Sequence, residues 1–335
     1  MNGIGISDLS RNFAMRELNT NLNVSLLRLS EEVVSGRSSD TTVRLNAQFS
    51  FLSQIESDLI QTEARSNALI EVALLADSQQ TALGRLVDTA DNIFGTLAVA
   101  RTDAGTLGLE TLATEARGLL DTMVSAINAN AGGRYSFSGT QVDAPPLVSS
   151  DQLLAELATA LSGATSVSDL RLAADDFFNL PGGGFETNVY QGAAQSLSPI
   201  NIGNGETISL DMRADDPAIR DLLKSVVLIA VADDPSLSLP QDALRSMVLD
   251  QGDAVLNARS GIIDLRAQLG FSEERIDRST TRLEAERSSL QLARNDLIGL
   301  DPFETASNLE AVRQQLETLY SVTARTQNLS LVNFL

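Results

Sequence analysis

Acidic residues are the chain's main candidates for chemistry. Three adjacent pairs, Asp175-Asp176, Asp215-Asp216 and Asp233-Asp234, could in principle hold a hard cation or move a proton, as could Glu186 beside the run Gly182-Gly183-Gly184. None of them has EF-hand spacing, with its central glycine and closing glutamate. Two of the pairs run directly into Pro217 and Pro235, a composition that reads as helix caps and solvated turns. The glycine run lacks the Lys-Ser/Thr and the strand-to-helix context of a phosphate loop, so it reads as a hinge or tight turn. Cysteine, histidine and tryptophan are absent altogether. That excludes metal sites built on His or Cys, Ser-His-Asp triads, thiol nucleophiles and imidazole acid/base work. An extracellular hydrolase would have to use Glu186 or the Asp pairs, and no convergent constellation stands behind either. The expectation is a protein that is not an enzyme and has no cofactor and no metal.

Charge and hydropathy narrow the partners. With 24 Lys+Arg against 44 Asp+Glu, the formal charge is −20, and a nucleic-acid partner is not expected because phosphate neutralisation needs a basic face. The longest apolar run, Val226 to Ala232, is far short of a bilayer span, so no membrane insertion is expected. The opening Met1-Asn2-Gly3-Ile4 carries no basic cluster before an apolar core. Export, if it occurs, would use a route without a cleaved signal.

The elements that must carry these residues follow from where the helix breakers lie. Seven of the eight prolines fall between Pro145 and Pro240, leaving both ends free to form long helices. In the N-terminal half, alternate three- and four-residue steps run from Leu45, Gln48, Leu52 and Ile55 through to Leu97 and Ala100. In the C-terminal half the same alternation runs from Leu244 and Val248 through to Leu297 and Leu300. Two heptad seams of matched length predict an antiparallel helical rod of about 84 Å.

Outside each seam lies a shorter arm. The first, residues 8 to 34, carries Leu18, Leu22, Leu26, Leu29 and Val33 on one face and stops at Ser35-Gly36, a helix C-cap. The second restarts at Asp301-Pro302-Phe303-Glu304, with an N-cap acid, Pro at the first helical position and Glu at the third. It continues through Leu309, Val312, Leu316, Leu319, Thr323, Thr326 and Ser330. The arms hold only −3 of the net charge. The ending Leu329-Ser-Leu-Val-Asn-Phe-Leu335 is apolar enough to mark an interface.

Between the seams the chain changes character. Gly105 and Gly108 mark a break, and a helix is predicted from Leu109 to Asn130. The block Gly133-Arg-Tyr-Ser-Phe-Ser-Gly139 alternates large residues between glycines and predicts a hairpin strand. A helical insert is predicted over 150–178. Strands are predicted at Phe185–Tyr190, Ile200–Ile202 and Glu206–Leu210, and Pro217 should open a helix into the apolar stretch at Val226. The expected class is mainly α: a long antiparallel coiled-coil or helical-bundle rod formed by the N- and C-terminal halves, with a small α/β module in the middle. The expected domains are terminal arms at 1–36 and 301–335, rod segments with β-hairpin elements at 37–140 and 187–300, and an inserted module at 141–186.

Several of these segments resemble the bacterial flagellin family, and within it the hook-associated proteins of the hook–filament junction. Ser30-Glu-Glu-Val-Val-Ser-Gly-Arg37 with Asp40 is similar to the "LSSG-R…D" break after the family's first helix, although the usual Asp-Asp-Pro-like run is absent. Gly133–Gly139, followed by Pro145-Pro146, is similar to "GRYLFAG…T-PPF". Val189-Tyr-Gln-Gly192, with Ile200 and Ile202, also matches, and the ending 329–335 is similar to "LSLLNYL". Only about 147–180 is unmatched. The resemblance implies a ring of self-associated copies at the flagellum. It implies contact with the first hook-associated protein and with flagellin, a flagellar export chaperone, type III export to the cell exterior, and terminal arms that order on assembly. The expected assembly interface is the arm pair Leu18, Leu22, Leu26, Leu29, Leu309, Val312, Leu316 and Leu319, extended by Leu331, Val332, Phe334 and Leu335. A minor or truncated filament flagellin is the nearest alternative, and a coiled-coil secretion-tip protein a further one. The Gly133–Gly139 block separates the latter, because a plain coiled coil has no reason to contain it.

Overall fold

The computed structural model describes residues 6–39, 49–102, 108–203 and 205–332, with the backbone course alone for 6–9, 12, 203 and 326–332. Of the residues singled out above, Met1–Ile4, Asp40, Leu45, Gln48, Gly105, Asn333, Phe334 and Leu335 lie outside the described residues. The same holds for the side chains of Thr326, Leu329, Ser330, Leu331 and Val332.

Among the described residues there are eight helices and two short hairpins. The helices are α1 Ile6–Ser35, α2 Phe49–Thr102, α3 Leu109–Ile127, α4 Ser150–Leu161, α5 Val167–Asn179, α6 Pro217–Ala230, α7 Gln241–Ile298 and α8 Pro302–Val332. Antiparallel β1 Asn130–Ala131 and β2 Arg134–Tyr135 form one hairpin, and β3 Ile200–Gly203 and β4 Glu206–Ile208 the other. The class is mainly α with a small α/β module, as the proline and periodicity pattern requires. The chain divides into two compact units, one of Ala64–Leu283 and one combining Met1–Glu63 with Glu284–Leu335.

In the larger unit, α2 and α7 run antiparallel. Arg101 donates to the Leu249 carbonyl at 2.6 Å and Arg245 to the Ala100 carbonyl at 3.2 Å, while Arg259 meets Asp91 at 2.6 Å and Arg266 reaches Gln80 at 3.4 Å. As the position on one helix rises, that on the other falls. The three-four alternation is the buried stripe here: Leu69, Val72, Ala76, Gln79, Leu83, Leu86, Ala90, Ile93, Leu97 and Ala100 are buried on α2. On α7 the stripe is buried from Leu244 to Leu283, with Leu265 and Ser272 half-buried. The helices α3 and α6 pack on each other and on this pair, and Arg117 on α3 forms an ion pair with Asp233 in the turn after α6. Pro217 sits at the first position of α6, and Asp216 caps the helix by accepting from the Ala218 N–H at 3.0 Å. The apolar run from Val226 to Ala232 is buried throughout. Each of its large side chains contributes about 1.5–3 kcal/mol by leaving water.

The module between α3 and α6 departs from the sequence reading in two places. Pairing around Gly133–Gly139 ends after β2, and residues 136–140 form turns. Phe137 turns into the core, so the alternation of large residues serves packing rather than a ladder. Phe185–Val189 is a π-helical turn, not a strand, and only Tyr190 pairs as a strand residue, in a bridge with Leu147. A wide turn brings Phe185 and Val189 to the same buried side, where Phe185 stacks on Phe178 at 5.4 Å. Three large apolar groups around one aromatic cluster outweigh the β preference of a six-residue window. The insert forms two helices, α4 and α5, each N-capped by a serine, Ser149 and Ser166.

The triple glycine is a tight turn. Gly182 has φ +74°, and a Cβ on Gly183 would lie 2.6 Å from the Asp176 carbonyl oxygen.

In the smaller unit, α1 and α8 pack antiparallel, with the Tyr320 hydroxyl 3.4 Å from Asn19 Oδ1. The predicted seam of α7 fades beyond Leu283, because Glu286 is exposed and Leu290, Ala293, Leu297 and Leu300 are half-buried. This part of α7 lacks the four-helix surroundings that bury its earlier turns, and it buries Ile298 against Leu52.

Candidate assembly site

The arm pair is built on two amphipathic helices with opposite ends secured. Helix α1 ends where Gly36 takes φ +66° and donates its N–H to the Glu32 carbonyl at 2.9 Å. Helix α8 begins where Asp301 Oδ1 accepts from the N–H groups of Phe303 and Glu304 at 2.8 and 3.2 Å. The two linkers then clasp. Arg37 forms a β-bridge with Gly299, the Ser38 N–H donates to the Ile298 carbonyl at 2.9 Å, and the Leu300 N–H donates to the Gly36 carbonyl at 3.0 Å. Glu32 is buried, and its carboxylate accepts from the Ser39 N–H and hydroxyl at 3.0 and 2.9 Å. The Ser-Gly-Arg motif is thus the place where the two ends of the chain are stitched together.

Of the eight arm residues read from sequence and described here, the structure gathers Leu22, Leu26, Val312, Leu316 and Leu319 into one cluster. Leu29 is buried and Leu309 half-buried outside it. Leu18 does not join them and is 48% exposed. Met15 packs there instead. The physical reason is periodicity. Positions 15, 19, 22, 26 and 29 step by four and three, whereas 18 to 22 to 26 steps twice by four and drifts off the seam. Strict alternation would have found Met15 and Asn19, the two residues the sequence reading missed. Around the cluster, Phe13, Val24, Leu27 and Val34 on α1 and Phe303 and Val322 on α8 are exposed. That is a large apolar surface for two arms of low net charge.

The family-like block Gly133–Gly139 is a packing hub. Gly132 and Gly133, at φ +60° and +84°, make the β1–β2 turn. Ser136 accepts from Gln79 Nε2 at 2.7 Å and its hydroxyl meets that of Ser78 at 2.9 Å. The carbonyls of Phe137 and Ser138 accept from the N–H groups of Ala214 and Ala193 at 3.0 and 2.9 Å. Gly139, at φ +61°, has no room for a side chain, since a Cβ would lie 2.4 Å from the Gln195 carbonyl oxygen. Alongside, the Tyr190 hydroxyl donates to the Ala193 carbonyl at 2.9 Å. Burial, with Asp215 adding repulsion, pushes this phenol up to about 12. Arg213 grips Asp215 through two bonds of 2.7 and 2.9 Å and reaches Ser196 at 3.0 Å.

The acids singled out as possible chemistry are spread over such structural tasks. Asp175 pairs with Lys224 at 2.7 Å, Asp233 with Arg117, and Glu186 accepts from the Gly182 N–H at 2.8 Å. Burial raises the pKa of the Asp216 cap, and the Ser236 bonds lower that of Asp234. Among the described residues no group of three or more Asp or Glu is placed to hold a metal ion. No helix there is long and apolar enough to cross a membrane.

With this geometry in view, comparison with known proteins places the C-terminal part of the chain. Residues 253–335 match the family model of the bacterial flagellin C-terminal helical region, the stretch that forms most of α7 and all of α8. No curated protein matches the sequence. Among solved structures the chain is similar to Bacillus cereus FlgL, with 13% identity, a TM-score of 0.50 and coverage of 73% of this chain and 99% of that one. A Vibrio parahaemolyticus protein described as a flagellar hook-associated protein aligns at 14% identity over 76% of this chain and 100% of its own, with a TM-score of 0.47.

Proposed function

We propose that the chain is a non-enzymatic structural subunit of the bacterial flagellum that sits at the junction between the hook-associated proteins and the flagellin filament. The observation that carries this reading is the flagellin C-terminal helical region lying on the very helix, α8, that pairs with α1 and leaves apolar surface exposed around the pair. The fold likeness to Bacillus cereus FlgL supports the junction over other flagellar positions. On this reading copies associate in a ring, with the first hook-associated protein on one side and flagellin on the other. Leu22, Leu26, Leu29, Leu309, Val312, Leu316 and Leu319 hold each subunit's arms together. Leu18, Leu331, Val332, Phe334 and Leu335 face neighbours. A flagellar chaperone escorts the chain to export without a cleaved signal.

The test is electron microscopy of cells lacking the gene. Intact hooks that shed flagellin into the medium are expected, and full-length filaments on those cells would overturn the reading. Removing residues 329–335 should abolish filament attachment while the purified protein keeps its helical circular-dichroism signal, and unchanged motility would refute the role of the tail. A second reading, a minor filament flagellin, is favoured by the family match being to flagellin itself. It predicts that the purified protein polymerises alone into long filaments, which a junction subunit does not do.

A further inference from the structure

The larger unit is rich in acid and spends nearly all its cations on itself. It holds 29 Asp+Glu against 15 Lys+Arg. Arg134 pairs with Glu71, Arg171 with Asp250 and Arg282 with Glu206, while Arg275 donates to the Thr207 carbonyl at 2.7 Å. The others are engaged likewise on acids, on carbonyls or, for Arg266, on an amide. Among the described residues of this unit, only the guanidinium groups of Arg65 and Arg85 have neither an ion pair nor a hydrogen bond. Arg65 lies one turn before Leu69 on the buried side of α2 and is half-buried, whereas Arg85 is exposed. At about 3.6 residues per turn, Arg85 falls on the back of α2, on one stripe with the exposed Ile70 and Leu74. The back of α7 carries Asp253, Asp264 and Phe271 about three and two turns apart. All three are exposed, and neither aspartate has an ion pair among the described residues. Each stripe points away from the seam the two helices share, so one subunit cannot bring them together and a second copy can.

We propose that the back of α2, with Ile70, Leu74 and Arg85, is the lateral docking surface for the back of α7 in a second copy. Arg85 meets Asp264 or Asp253 of that copy, according to the axial offset between the two, and Phe271 covers the aliphatic pair. The order of groups along the stripes fits this match. Going from Arg85 toward lower numbers on α2 corresponds, in an antiparallel alignment, to going from Asp264 toward higher numbers on α7, so Leu74 and Phe271 fall on the same side of the ion pair. A lone exposed guanidinium is attracted to the acidic face of another copy, and arginine with apolar neighbours is a favoured anchor of interfaces. Two different surfaces on one molecule make a head-to-tail contact, the kind that closes rings. The inference deepens the ring of copies proposed above and rests on that reading.

Arg85→Lys tests the contact directly. It keeps the charge and adds an amine to a chain whose only lysine, Lys224, is held by Asp175 and Asp221. Hook–filament structures isolated from cells carrying this variant are treated with a water-soluble carbodiimide. The reagent activates a carboxylate, an amine within contact distance attacks the activated carbon, and an amide forms as the reagent leaves as a urea. The expected product is a peptide joining position 85 to Asp253 or Asp264, found by mass spectrometry in multimer bands and absent from the monomer band and from unsubstituted protein. Multimers that lack this peptide, no multimers beyond those of the unsubstituted protein, or the same peptide in the monomer band would each sink the lateral contact and leave the junction reading intact. Absence of the protein from the isolated structures would instead sink the ring reading, and this contact with it. Arg85→Glu reverses the charge at a site the fold itself does not use. It should leave the circular-dichroism signal unchanged and raise the share of the protein shed into the medium severalfold, and retention equal to that of the unsubstituted protein counts against the proposal.

Discussion

Glycine at position 139 is required by a contact, and glycine at 133 by a dihedral angle alone. Gly139→Ala combines a left-handed φ with a Cβ 2.4 Å from a backbone oxygen, so it should cost about 2–4 kcal/mol and lower the melting temperature of the larger unit accordingly. Gly133→Ala has φ +84° and open space around it. It should cost about 1 kcal/mol, and thermal denaturation of the two variants side by side separates the effects. Tyr190 gives a second reading at this scale. Its phenol titrates near 12, above the usual value of about 10. Because folding favours the neutral form, its contribution is complete below pH ~10 and lost as pH rises toward 12. Absorbance titration should show one phenol lagging, and Tyr190→Phe should flatten the alkaline slope of stability.

Single residues also show where sequence reasoning reached its limit. The caps at Asp301, Asp216 and Gly36 were legible because each depends on neighbours within four positions. Phe185–Val189 was not, because its π turn is set by Phe178, which lies outside the local window.

At the scale of elements, the three-four alternation carried furthest where the helices have neighbours on several sides, from Leu69 to Ala100 and from Leu244 to Leu283. It failed past Leu283, since periodicity says which face is apolar and not whether anything covers it. The same limit explains Leu18, whose exposed place on α1 is one residue away from the seam through Asn19. Leu316→Ala, in the centre of the arm cluster, should destabilise the smaller unit by about 2 kcal/mol, near the low end for a buried leucine because the cluster is small. Leu18→Ala should change it by less than about 0.5 kcal/mol. Urea unfolding monitored at Tyr320, which lies on α8, reads both. Asp301→Ala should cost about 1 kcal/mol by freeing the first N–H groups of α8, and Asp301→Asn should be nearly neutral. Amide exchange at Phe303 and Glu304 checks the pair.

At the scale of the whole molecule, the two units differ in how they draw on the chain. The larger uses one continuous stretch, Ala64–Leu283, and the smaller uses both ends. That division was only partly visible in the sequence. The symmetry of arms about the middle was plain from the two capped helices, but the boundary inside α2 and α7 leaves no mark, because no proline or glycine break is needed where a helix continues. The Gly36–Ser38 clasp with Ile298–Leu300 has a consequence in time. A segment that must find its partner some 260 positions later pays a loop-closure cost and cannot pair until the end of α7 exists. A chain delivered amino end first would therefore complete its continuous unit while α1 still waits. Under such delivery maturation would run in one direction, with α8 as its latch. Pulse-labelled amide exchange during refolding should show protection at Leu83 and Val255 before Leu22 and Leu29, and a chain ending at Leu300 should never protect the latter pair.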